Sequence, residues 1–114
     1  MTLFKKNRFT LGVSRDKVFL SGHNFSGQFI TIKALATGLP VTHLAVLVPT
    51  RVSAKAVARN RTRRKISEII KILLPRTKSG YDVVILAKTE KLPSDANLLE
   101  DALTLWKKSD MLKQ

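Results

Sequence analysis

A chain of 114 residues fits one compact domain, and its 44% hydrophobic content is enough for a modest core. Its 21 Lys and Arg outnumber 8 Asp and Glu, for a net charge of +13, and cysteine is absent. These numbers exclude a disulfide scaffold, a thiolate metal site and a cysteine nucleophile, and no apolar run approaches the roughly 18 residues of a membrane-spanning helix.

The charge is segregated. Residues 1–16 carry +3, residues 17–67 carry +9 without a single acid, and residues 68–114 carry +1. A one-signed stretch of this length favours a polyanionic partner, because a surface charged only for solubility mixes its signs. Residues 1–12 lack a clear period and read as an extended basic arm. Lys5, Lys6 and Arg8 beside Phe4 and Phe9 match an organelle presequence poorly.

Ser14 is placed to cap a short helix running to Phe19 or Leu20, with Asp16 in its first turn and Gly22 ending it. Gln28–Leu35 has the β-branched and aromatic content of a strand, with Ile30 and Ile32 on one face and Phe29 and Thr31 on the other. The turn-rich Thr37-Gly38-Leu39-Pro40 leads to His43–Val48, whose continuous apolar run predicts a strand buried on both faces. The loop Pro49–Ser53 follows.

Ala54 to Leu74 is predicted helical, with Pro75 as the stop. Ile66, Ile69, Ile70 and Leu73 fall at i, i+3, i+4 and i+7 and form a stripe facing a core. One and two turns earlier the same stripe carries Thr62, Arg59 and Lys55, so it changes from aliphatic to cationic halfway along the helix. Such a helix anchors by its C-terminal half and presents its N-terminal half to solvent or a ligand. Beyond the loop Arg76–Gly80, Tyr81–Lys88 gives a third apolar strand. Pro93-Ser94-Asp95 opens a last helix with Leu99, Ala102, Leu103 and Trp106 on its apolar side. The order helix, two or three strands, helix, strand, helix predicts one α+β domain over residues 1–114.

Arg59-Asn60-Arg61-Thr62-Arg63-Arg64-Lys65 is the strongest chemical signal. Guanidinium forks match phosphate oxygens in pairs, and Asn adds a neutral donor and acceptor. Five cations in seven residues repel one another, at a few tenths of a kcal/mol per i,i+4 pair. Glu68 is the only nearby acid on the helix, so a bound anion is the natural compensation. With Arg51 in the preceding loop and Lys55 at the helix start, the candidate nucleic-acid-binding residues are Arg51, Lys55, Arg59, Asn60, Arg61, Arg63, Arg64 and Lys65.

Catalysis by the protein itself has little support. His23 and His43 are the only histidines, and His43, opening an apolar strand, reads as structural. The acids are scattered, and Glu100-Asp101, neighbours on a helix, diverge by about 100°. A self-sufficient metal-dependent nuclease needs converging carboxylates, which the basic half lacks. Phe19, Phe25 and Phe29 are candidates for stacking on unpaired bases, although core packing is the commoner role at their spacing.

At the arginine cluster the sequence resembles a known family. Ala56-Val57-Ala58-Arg59-Asn60-Arg61-Thr62-Arg63-Arg64, followed by Glu68, is similar to the signature of bacterial ribonuclease P proteins. Asn7-Arg8-Phe9, Lys17-Val18-Phe19 with Gly22 and Gln28-Phe29, and Asp82-Val83-Val84-Ile85-Leu86-Ala87-Lys88 resemble further family segments in the same order. Ser67 stands where the family usually has Arg, Thr50-Arg51-Val52 replaces a Ser-Lys-Lys, and Arg15 stands where an aromatic is common.

The resemblance implies an α/β sandwich around a central mixed sheet, with a left-handed βαβ crossover. It also implies a non-catalytic protein subunit of an endoribonuclease that removes the 5′ leader from precursor tRNA. The expected partners are ribonuclease P RNA and that leader, in the cytoplasm, with no membrane and no obligate protein partner. The protein alone is expected to bind no cofactor, the hydrolysis falling to Mg2+ held by RNA. The arginine-rich helix face would grip RNA, and Phe19 and Ile32 would line the leader cleft. The alternative is a ribosomal or other structural RNA-binding protein, which charge and length alone would fit equally well.

Overall fold

The structure is a computed structural model in which Val18 and residues 21–113 are described. The predicted arm over residues 1–12, the Ser14 cap and Phe19 lie outside those residues. Val18 and Ser21 are helical, and the Gly22 N–H donates to the Val18 carbonyl at 2.8 Å, in keeping with a helix that stops at Gly22.

Among the described residues four strands form one sheet: β1 (His23–Ser26), β2 (Ile30–Ala36), β3 (His43–Leu47) and β4 (Tyr81–Ala87). Their spatial order is β1-β2-β4-β3. β1 pairs antiparallel with β2, β2 antiparallel with β4, and β3 parallel with β4. The sheet is therefore mixed. Helix α1 (Ala56–Leu73) forms the crossover from β3 to β4, and α2 (Asp95–Lys108) follows β4.

β2 alternates as its sequence directs, with Ile30, Ile32 and Ala34 buried and Thr31, Lys33 and Leu35 half-buried. The strand buried on both faces is β4, where Asp82, Val83, Val84 and Ile85 are all buried. The expectation for His43–Val48 is corrected here. β3 lies at the sheet edge and alternates, with Leu44 and Val46 buried while His43, Ala45 and Leu47 are half-exposed. An apolar run marks a strand, but its place in the sheet depends on pairing with distant segments. β1 is the element that the sequence did not single out: four residues, largely exposed, fixed by register against β2.

Both helices pack on one face of the sheet. Ile30, Ile32, Leu44, Val46, Val83 and Ile85 meet Ile66, Ile69, Ile70 and Leu73 from α1 and Leu98, Ala102, Leu105 and Trp106 from α2 in one apolar cluster. Each large aliphatic side chain in it contributes about 1.5–3 kcal/mol relative to exposure. The α1 stripe is as predicted. The centre of the α2 stripe is Leu98, Ala102 and Leu105 with Trp106, while Leu99 and Leu103 sit half-buried at its flank.

α1 starts at Ala56 rather than Ala54, and Pro75 lies in a 3-10 turn, Leu74–Arg76, that ends the helical segment. Ser94 caps α2 by accepting from the Asn97 N–H at 3.3 Å. Buried Trp106 donates its indole N–H to Thr77 Oγ1 at 2.8 Å, and that hydroxyl donates to the Leu73 carbonyl at 2.7 Å. This chain of bonds ties α2 to the end of α1.

Candidate nucleic-acid interface

α1 is 18 residues and about 27 Å long. Its C-terminal half is held by Ile66, Ile69, Ile70 and Leu73, all buried, while its N-terminal half exposes Ala56, Val57, Asn60, Arg61, Arg63 and Arg64. Only Thr62 is buried there, and Ala58 and Arg59 are half-buried. The anchor therefore fixes the direction of the cationic half without covering it.

The candidate residues divide into two groups. Arg59 folds back, its Nη1 donating to the Ser53 and Ala54 carbonyls at 3.2 and 2.7 Å, so this guanidinium braces the loop before the helix. Lys65 donates to the Pro93 carbonyl and lies 3.8 Å from the Asp95 carboxylate, tying α1 to the start of α2. Arg63 donates to the Asn60 side-chain carbonyl one turn earlier. The side chains of Arg61 and Arg64, both exposed, have no hydrogen bond or ion pair among the described residues, and the same holds for the side chains of exposed Arg51 and Lys55. Sequence alone did not separate bracing from free cations, because Arg59 and Lys65 reach partners outside the helix.

The electrostatics of this half are unfavourable without a ligand. Glu68, the one acid of α1, is shared with Lys71 at 3.9 Å. The N-cap Lys55 offers no side-chain acceptor, and the first turn holds no acid. The positive end of the helix dipole thus coincides with the cations. Two free guanidinium forks one turn apart, above an uncapped helix start, suit a run of phosphates.

Two expected cleft residues fare differently. Phe19 lies outside the described residues. Ile32 is corrected: it is fully buried in the apolar cluster beneath the helices and lines no cleft, because its side of β2 is the core side. The sheet face opposite the helices instead carries Thr31, Lys33 and Leu35 of β2, with Val84 and Leu86 of β4 and Ala45 and Leu47 of β3 in register. On that face the His43 imidazole meets the buried Asp82 carboxylate at 2.9 Å, in keeping with a structural histidine.

Among the described residues no three His, Asp or Glu side chains come together to hold a metal ion. No described helix is long and apolar enough to cross a membrane.

Comparison with known proteins matches the geometry. A sequence model of the ribonuclease P family matches residues 3–110. The ribonuclease P protein component of a Nostoc species is 40% identical, covering 77% of this chain and 78% of that protein. The same component from a Pseudanabaena species is 29% identical over 94% of both chains. The fold is shared with the RNase P protein of Staphylococcus aureus, at a TM-score of 0.80 and 15% identity over 96% of this chain and 100% of that one. It is shared too with that of Thermotoga maritima, at a TM-score of 0.76 and 20% identity over 89% and 96%. With a family match across nearly its whole length and the α+β fold of those structures, this chain belongs to the ribonuclease P protein family.

Proposed function

We propose that this chain grips ribonuclease P RNA through the N-terminal half of α1 and helps that RNA hold the 5′ leader of precursor tRNA, in the cytoplasm. The observation that carries the reading is the pair Arg61 and Arg64, exposed and without a protein partner among the described residues, on a helix anchored by its other half. Arg51 and Lys55 extend the cationic strip to the helix start, and Asn60 with Arg63 borders it. Arg59 and Lys65 act indirectly, by holding the loop and the neighbouring helix that keep α1 in place. The leader is assigned to the sheet face opposite the helices, where Lys33 stands among apolar and hydroxyl side chains.

The bond-breaking chemistry is assigned to Mg2+ held by RNA. The described carboxylates do not fit a metal centre: Asp101 and Asp82 are engaged by backbone N–H groups and His43, and the basic half of α1 has no acid. The protein's share is to bind and orient, lowering the phosphate repulsion between two RNAs.

The test is reconstitution. The purified protein, a bacterial ribonuclease P RNA and precursor tRNA are mixed at low Mg2+. Cleavage at the mature 5′ end that requires both protein and RNA is the expected result. Robust cleavage by RNA-free protein, lost on substitution of one of its acids, would overturn the division of labour.

A further inference from the structure

A cavity of about 370 Å3 opens where the β1–β2 hairpin meets α2, lined by Gln28, Phe29, Asn97, Glu100, Asp101 and Thr104. It lies apart from the cationic half of α1 and takes no part in the RNA grip described above. Two of its polar groups are committed. The Asp101 carboxylate accepts the N–H groups of Gln28 and Phe29 at 2.8 and 2.9 Å and that of Ile30 at 3.3 Å, and Thr104 donates to the Glu100 carbonyl at 3.0 Å. Three are uncommitted: the Glu100 carboxylate and the side-chain amides of Gln28 and Asn97 have no hydrogen bond or ion pair among the described residues. Phe29, half-buried and packed against the core, is the one aromatic residue of the lining.

We infer that this cavity receives an unpaired guanine of an RNA partner. Single-stranded RNA is read by stacking a splayed base on an aromatic ring and bonding its Watson–Crick edge. Guanine alone among the four bases presents two adjacent N–H donors on that edge, the fork that a carboxylate accepts in pairs. Glu100 is the free carboxylate. The amides of Asn97 and Gln28 supply donors for the neighbouring carbonyl oxygen. Adenine and cytosine each set an acceptor beside their donor, and uracil has a single donor between two acceptors, so none satisfies Glu100 equally. A volume of this size holds a base with part of its ribose.

A cation lies near the cavity. Lys88 donates to the Gly27 carbonyl at 2.7 Å and to Ser26 Oγ at 3.1 Å, so an ammonium is held on the hairpin next to Gln28. The inference rests on the chain binding RNA, but on a different surface from α1.

The test uses the full chain and labelled single-stranded RNA hexamers, either all-uridine or with one central guanosine, inosine or adenosine, followed by anisotropy. The guanosine hexamer binds about tenfold tighter than all-uridine, inosine, which lacks the 2-amino donor, falls between, and adenosine gains little. Glu100→Gln, at an exposed position, leaves the melting temperature unchanged and removes the preference. Arg61→Ala with Arg64→Ala weakens all hexamers together and keeps the preference. Equal binding of all hexamers, or a guanosine preference that survives Glu100→Gln, overturns the inference. Free guanosine added to labelled protein shifts the backbone amide signals of Gln28, Phe29 and Asn97. If an arginine amide shifts them and guanosine does not, the cavity takes a protein side chain and the inference fails. Guanosine shifts without hexamer binding would overturn the α1 reading instead.

Discussion

The carboxylate of Asp101 occupies the space that a side chain at Gly27 would need. A Cβ at position 27 would stand 2.7 Å from Oδ1 and 2.8 Å from Oδ2, well inside van der Waals contact. From that spot the carboxylate accepts the N–H groups of Gln28, Phe29 and Ile30 and fixes the turn between β1 and β2. A helix side chain thus holds a hairpin more than seventy residues away in sequence.

Two substitutions test this relationship. Asp101→Ala strips a charged acceptor from these N–H groups and costs about 2 kcal/mol. Gly27→Ala forces the carboxylate away and costs about 1–3 kcal/mol. The double variant loses less than the two singles added, because alanine at 27 no longer meets a carboxylate. Urea unfolding of the four proteins measures it, and strict additivity would deny the contact.

Thr77 is buried under Trp106 and relays its indole N–H to the Leu73 carbonyl. Thr77→Val keeps the shape but leaves the buried indole N–H unpaired, at about 1–3 kcal/mol. Thr77→Ser keeps the hydroxyl and costs less. Thermal unfolding ranks them parent, serine, valine.

Arg61 and Arg64 bond to no other described side chain, so Arg61→Ala with Arg64→Ala melts like the parent. Each guanidinium–phosphate pair removed weakens RNA assembly by about 1–2 kcal/mol. Lys107 and Lys108 sit exposed in the last turn of α2, where they favour only the helix dipole. Lys107→Ala with Lys108→Ala assembles almost normally. Equal weakening in the two variants would reduce the binding to diffuse electrostatics, and unfolding of the arginine variant would make its side chains structural.

Binding through this face is salt-dependent. If roughly five phosphates are neutralised, log affinity falls against log salt with a slope of about −3.5 for single strands to about −4.5 for duplex. A slope near zero in a salt titration of RNA binding would place the charge away from RNA.

Much of the molecule is legible in the sequence. The Ile66–Leu73 stripe, the break at Pro75, the alternation of Ile30 and Ile32 and the strand at Tyr81–Ala87 follow from local periodicity and backbone chemistry. So does the change from aliphatic to cationic along α1, because side chains on one helix keep their angular order whatever they pack against. The motif around Arg59–Arg64 carried the family.

Tertiary structure decided what depends on partners far along the chain. β3 and β4 read alike as apolar runs, yet pairing set β4 in the middle and β3 at the edge. β1 is too short and exposed to announce itself, and it exists through its register with β2. Ile32 faces the core because both helices cover that side of the sheet. Arg59 and Lys65 look like their neighbours in sequence, but backbone carbonyls from Ser53, Ala54 and Pro93 come within their reach, leaving Arg61 and Arg64 as the uncommitted guanidinium groups of the cluster. Periodicity reports which way a side chain points from its own helix or strand. What waits there is fixed only when distant segments meet, and so the cavity between Phe29 and Glu100 had no trace in the sequence.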